Sequence, residues 1–109
     1  MEVNLKNKKS LLAMIGLAKK AGAVIPGTEQ VILNVRKNIP LIVLLSSDAS
    51  LNTKKKIADC CGSHKTEMFE VNIDTMEMAH MIGNKNLISA VGITDRGFTE
   101  AINNILKSE

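Results

Sequence analysis

Leu41-Ile42-Val43-Leu44-Leu45 narrows the folds open to this chain more than any other stretch. Five apolar residues in a row cannot alternate between a wet and a dry face. Such a run, followed by the polar Ser46-Ser47-Asp48-Ala49-Ser50, reads as a central strand buried on both sides. A strand of that kind needs helices above and below its sheet. The rest of the chain is spaced to supply them.

Lys8 to Ala21 has helical spacing, with Leu11, Ile15 and Ala18 on one stripe, Ser10 as a candidate N-cap and Gly22 as C-cap. Lys19 and Lys20 suit the negative end of its dipole. Ala23 to Ile25 is extended, because Pro26 disfavours helix before it. A second helix runs from Thr28, its candidate cap, to about Lys37. Val31, Ile32, Leu33 and Val35 cover more than one stripe, which predicts a well-buried helix. Asn38 can end it in the left-handed conformation, and Pro40 prevents its continuation.

After the central strand, Ser50 or Asn52 caps a third helix that Gly62 ends. Ile57, Cys60 and Cys61 point inward there, and Lys54-Lys55-Lys56 lie mostly outside. Thr66 to Val71 reads as a strand. Asp74 or Thr75 caps a short helix to Ile82, stopped by Gly83. Met76, Met78 and Met81 are expected as core filler. Leu87 to Thr94 is another strand, with Gly92 a bulge or close-contact point. Asp95 caps a last helix to about Lys107, with Phe98, Ala101, Ile102 and Ile105 inward. Strands alternating with helices predict an α/β three-layer sandwich. At 109 residues, with no repeat or linker, the chain reads as a single domain with its ordered core over about 8–107.

Composition excludes several classes. No apolar run approaches the ~20 residues of a membrane span. Residues 1–10 lack the apolar core of a secretory leader, and two adjacent cysteines offer neither a disulfide framework nor zinc spacing. These features predict a cytoplasmic protein without membrane contact. With no Trp or Tyr, and only Phe69 and Phe98, the chain cannot stack bases on aromatic platforms. Any nucleic acid must be held by charge, backbone amides and shape.

The formal charge of +3 is unevenly spread. Residues 1–56 carry ten basic and three acidic side chains, a balance of +7; residues 57–109 carry four and eight, a balance of −4. That split suggests one face made for a polyanion. Catalytic patterns are thin. His64 and His80 have no partner at triad or ligand spacing, Asp48 and Asp95 read as loop or cap residues, and no phosphate-binding or dinucleotide glycine pattern occurs. Two loops stand out. Pro26-Gly27-Thr28-Glu29-Gln30 opens a helix, where free amides form a natural phosphate site. Gly83-Asn84-Lys85-Asn86-Leu87 carries amide donors, one cation and one apolar side chain.

An ordered series of segments resembles the L7Ae/L30e family of ribosomal proteins, and most closely its bacterial YlxQ group. The carriers are Leu17-Ala18-Lys19-Lys20-Ala21-Gly22, Gly27-Thr28-Glu29-Gln30-Val31, the apolar strand into Ser46-Ser47-Asp48-Ala49-Ser50, Asn52-Thr53-Lys54-Lys55-Lys56, and Thr94-Asp95 with Gly97-Phe98. The resemblance spans Leu11 to Leu106. It implies an α/β/α sandwich around a small mixed sheet, and a non-enzymatic, cofactor-free protein of ribosomal or other structured RNA. The expected partner is kink-turn RNA, a sharply bent helix with an internal loop. Gly27, Thr28, Glu29 and Gln30 would meet the bent backbone and sheared base pairs. Gly83, Asn84, Lys85, Asn86 and Leu87 would cover the extruded nucleotide. Lys19, Lys20, Arg36 and Lys37 would add phosphate attraction. A monomer is expected.

Two positions depart from the family pattern, and the loop before the last strand is more polar than the family's usual apolar form. Glu29 stands where many members have Asn, and Leu33 replaces a lysine typical of strong kink-turn binders. An acid accepts hydrogen bonds from guanine but repels phosphate. The departures set a second reading beside the first: a protein-interaction or regulatory domain on the same fold that has lost kink-turn binding.

Overall fold

The computed structural model describes residues 5–107. Nine elements alternate along them: α1 (Leu5–Lys20), β1 (Val24–Pro26), α2 (Thr28–Val35), β2 (Ile42–Leu45), α3 (Leu51–His64), β3 (Glu67–Glu70), α4 (Thr75–Met81), β4 (Ala90–Ile93) and α5 (Arg96–Lys107). The sheet order is β1-β4-β2-β3. β2 and β3 run parallel, while β4 is antiparallel to both of its neighbours, so the sheet is mixed.

Every residue of β2 is buried, as its unbroken apolar run requires. Its side chains divide by parity. Ile42 and Leu44 join a core with Leu11, Ile15 and Ala18 of α1, Met78 of α4 and Ile102 of α5. Val43 and Leu45 join a second core with Val31 and Val35 of α2 and Ile57 and Cys61 of α3. Helices therefore cover both faces, and the α/β/α sandwich is the observed architecture. No helix of the described residues is long and apolar enough to cross a membrane.

Local signals set most boundaries. α1 ends at Gly22 (φ 73°), where the Ala23 N–H donates to the Ala18 carbonyl at 2.8 Å. α2 ends through Asn38 (φ 57°), with the Ile39 N–H donating to the Asn34 carbonyl at 3.1 Å. Ser50 Oγ accepts from the Thr53 N–H at 3.1 Å and caps α3. Asp74 and Glu77 form a capping box on α4. Asp95 Oδ2 accepts from the Phe98 N–H at 2.9 Å and caps α5. Gly92 is a point of close approach, since a Cβ there would sit 3.1 Å from Pro40 Cβ.

Several expectations fail for definable reasons. Ser10 lies inside α1 and caps nothing. Gly62 also lies inside a helix; α3 runs on to His64 and turns at Lys65, which itself takes the left-handed conformation (φ 55°). α2 is shorter than expected, ending at Val35, and Leu33 faces outward at 46% exposure. Met76 is 69% exposed, because only Met78 of its group points fully into the core. β4 begins at Ala90 rather than Leu87, since the Ile88 N–H bonds to the Thr75 carbonyl instead of a neighbouring strand. His64, which sequence spacing left without a partner, is half-buried with its Nδ1 3.0 Å from the Cys60 carbonyl oxygen.

Asp48 ties the loop after β2 to the start of α4. Its carboxylate accepts from the Thr75 N–H at 2.9 Å and from Thr75 Oγ1 at 3.0 Å. Slight burial pushes its pKa up, but the Thr75 hydrogen bonds outweigh that and hold it below the usual 3.8. A depressed carboxylate contributes stability above its unfolded pKa and loses it as pH falls through the folded one. Asp48→Ala is therefore expected to lower stability at pH 7 by at most about 1 kcal/mol, given its exposure. The gap from wild type should close below about pH 4. Urea melts at pH 7 and pH 3 check this; an equal gap at both would mean that the carboxylate charge plays no part.

Candidate functional site

β1 is antiparallel to β4, with Pro26 opposite Val91. β2 is also antiparallel to β4, with Leu45 opposite Ala90. One edge of the sheet therefore gathers the starts of α2, α3 and α4 and the end of the 83–89 loop. The Gly27 N–H donates to the Ala90 carbonyl at 2.9 Å and joins the two sequence-marked loops directly. They lie more than 50 residues apart in the chain, yet share this edge.

The Gly27 backbone explains how the turn is made. Its φ of 95° and ψ of 145° lie in a region that side-chain-bearing residues rarely enter. This allows the chain to leave β1 and start α2 at once, with the Gly27 carbonyl accepting from Val31 at 2.9 Å. Thr28 is the first helical residue, not the cap expected from sequence, and no side chain caps α2. In contrast, α3, α4 and α5 are closed by Ser50, Asp74 and Asp95. The first-turn amides of α2, at Thr28, Glu29 and Gln30, are thus left for an external acceptor, on the positive end of the helix dipole. Glu29 and Gln30 are exposed, and Thr28 is half-buried.

Residues 83–87 are all exposed. Gly83 (φ 67°) ends α4, with the Asn84 N–H donating to the Ala79 carbonyl at 2.9 Å. Asn84 Nδ2 donates to the Asn86 carbonyl at 3.2 Å and shapes the turn around the exposed Lys85. Leu87 is 65% exposed and projects beside the buried Ile88. At its other end the loop borders a cleft of about 540 Å³, lined by Gly16, Leu17, Lys19 and Lys20 of α1 together with Met81 and Gly83. The loop thus runs from the α1 lysines to the α2 N-terminus.

Acids near this edge are largely engaged. Asp48 holds Thr75, and Asp74 belongs to the capping box. Lys8 Nζ lies 2.9 Å from Glu77 Oε2. That hydrogen bond, with one from the Asp74 N–H, holds the Glu77 carboxyl below its usual value. Glu29 is the acid left at the α2 turn.

Lys37 does not join this group, and Arg36 meets it only through a depression that it lines with Glu29, Gln30, Ile32 and Leu33. They follow α2 at its C-terminal end, about 12 Å along the helix from Thr28. Sequence reasoning also missed the exposed Leu51 and Met76, which begin α3 and α4 at the same sheet edge as Leu87. Cys61 is buried, which with the neighbouring Cys60 pushes its thiol up to about 11, so it is an inert packing group. Among the described residues no cluster of His, Cys, Asp and Glu is placed to hold a metal ion.

Comparison with known proteins gives a consistent picture. Residues 9–103 match the model of the ribosomal protein L7Ae/L30e/S12e/Gadd45 family. The chain is similar to an RNA-binding protein YlxQ of Enterococcus faecium, 33% identical over 105 residues, covering 96% of this chain and 99% of that one. It is similar to the RNA-binding protein YlxQ of Bacillus subtilis, also 33% identical, over 85% of this chain and 91% of that one. Among solved structures, a Bacillus halodurans protein of unknown function superposes with a TM-score of 0.80 at 32% identity, covering 88% of this chain and 95% of that one. A 15.5 kD RNA-binding protein of Giardia lamblia superposes with a TM-score of 0.77 over 98% of this chain and 90% of that one; at 11% identity it shows the shared fold alone.

Proposed function

The chain belongs to the ribosomal protein L7Ae/L30e/S12e/Gadd45 family, and on that premise we propose that it binds structured RNA at a sharp kink, in a ribosomal or similar setting and without catalysis. The observation that carries this reading is the hydrogen bond from Gly27 to Ala90, which sets the uncapped start of α2 beside the 83–89 loop, whose residues 83–87 are exposed.

In the proposed complex, the amides of Thr28, Glu29 and Gln30 hold a phosphate of the bent backbone. The Glu29 carboxylate accepts hydrogen bonds from guanine amino and imino groups at the kink. Asn84, Lys85 and Asn86 offer donors to the looped-out strand, and Leu87 covers its extruded base. Lys19 and Lys20 approach the backbone from the far end of the loop. Without aromatic side chains at this edge, recognition rests on shape, amides and charge, and kinked RNA presents those in an arrangement that a straight duplex lacks.

Glu29 is the discriminating position in this scheme. Glu29→Ala is expected to shift the preference between kinked RNAs with and without guanine at the kink by about 1–3 kcal/mol. Lys54→Ala should weaken binding only modestly, because Lys54 already pairs with Glu70 on β3. Titrating both variants against one RNA pair checks the assignment. A more severe loss for Lys54→Ala would move the binding face to α3 and overturn it.

A further inference from the structure

α2 and α3 lie side by side over one face of the sheet, and a groove of about 490 Å³ runs between them. Ile32 of α2, Arg36 just after it, and Lys56, Asp59, Cys60 and His64 of α3 line it. Its floor is fixed. Cys60 Sγ lies 3.8 Å from the Ile32 carbonyl oxygen, and His64 Nδ1 lies 3.0 Å from the Cys60 carbonyl oxygen.

The groove carries two full cations against one carboxylate. Arg36 and Lys56 are both exposed, and among the described residues neither is in an ion pair. Lys8 and Lys54 differ, since Glu77 and Glu70 hold them. Unneutralised cations along a concave surface are the footprint of a polyanion. The groove is also continuous with the proposed kink site. Ile32 and Arg36 border a second depression on the outer side of α2, together with Glu29, Gln30 and Leu33. Arg36 is thus common to both, about 12 Å from the start of α2, which is the axial length of roughly four base pairs of an A-form RNA duplex.

We propose that the α2–α3 groove is a second RNA-backbone site, where Arg36 and Lys56 hold phosphates of a duplex arm leaving the kink. The inference rests on the RNA reading above. It assigns Arg36 to the arm rather than to the kink, and brings in Lys56, which the sequence left as a solvated surface charge. Contacts of this kind add affinity and register but no base preference.

The test uses the Arg36→Ala/Lys56→Ala double variant and two kinked RNAs, one with arms of about two base pairs, which end before Arg36, and one with arms of about twelve. Both side chains are exposed, and alanine suits a helix, so a wild-type melt is expected of the variant. Wild type should bind the long-armed RNA more tightly than the short-armed one. The variant should bind the short-armed RNA within about twofold of wild type, and the long-armed RNA about tenfold more weakly, with its salt slope reduced by about 2. Unchanged binding to both RNAs would overturn the groove site, leave the kink site standing and return the groove to protein contact. Equal weakening on both would place Arg36 in the kink site and equally overturn the inference. Failure of wild type to bind either kinked RNA would remove the kink reading itself.

Discussion

Gly27→Val is expected to lower affinity for a kinked RNA more than tenfold and to destabilise the fold by about 1–3 kcal/mol. The cause is backbone conformation rather than crowding. Gly27 sits at φ 95° and ψ 145°, and a Cβ built there meets nothing within 4 Å. A β-branched residue at positive φ is a strong outlier. If the turn holds, the strain appears in stability, at roughly 4–6 °C of melting temperature per kcal/mol. If the turn relaxes, the Gly27–Ala90 hydrogen bond breaks and the start of α2 swings away from the 83–89 loop. Either route damages the site. Gly62→Ala is the matching control. Gly62 lies within α3 with open space around it, so alanine there should be neutral or stabilising by up to about 1 kcal/mol. Thermal melts and labelled-RNA titrations of both variants separate the two effects. Wild-type behaviour of Gly27→Val would show that the turn is not needed.

The contrast between these two glycines shows what local sequence carries. Both precede or follow helical spacing, and both invite the same reading as helix boundaries. Gly22, Gly27 and Gly83 are boundaries with positive φ. Gly62 is not, because the inward stripe of Ile57 and Cys61 holds α3 past it and lets Lys65 take the left-handed turn instead. Capping carboxylates were legible because each needs only a partner three residues away, as at Asp74 and Asp95. The two-sided burial of β2 was legible from its apolar run, although Leu41, the first residue of that run, stands outside the strand at 41% exposure. The mixed strand direction was not. It came only through the family resemblance, since strand order depends on pairings such as Val24 with Ile93 and Ile42 with Glu67, between residues far apart in the chain.

The site divides in the same way. Each loop was visible by itself, from a glycine before a helix and from a polar turn after one. Their meeting was not, because it follows from the register of β1 on β4. The missing cap on α2 was also hidden. Thr28 has the right chemistry to cap, but Gly27 occupies the cap position, so the hydroxyl belongs to the first helical residue. Leu33 illustrates the opposite error, in which hydrophobic character alone suggested burial although the residue faces solvent.

Discrimination between kinked and straight RNA tests the central claim most directly. A straight duplex offers phosphates to Lys19, Lys20 and Arg36, but no bend for the α2 turn and no extruded base for Leu87. With no Trp or Tyr to report binding, the titration is followed on labelled RNA at fixed salt. A kink-turn RNA is expected to bind at least about a hundredfold more tightly than a duplex of the same length, a difference of about 2.8 kcal/mol. Equal affinity for the two would contradict the account and leave only general attraction between a basic surface and phosphate.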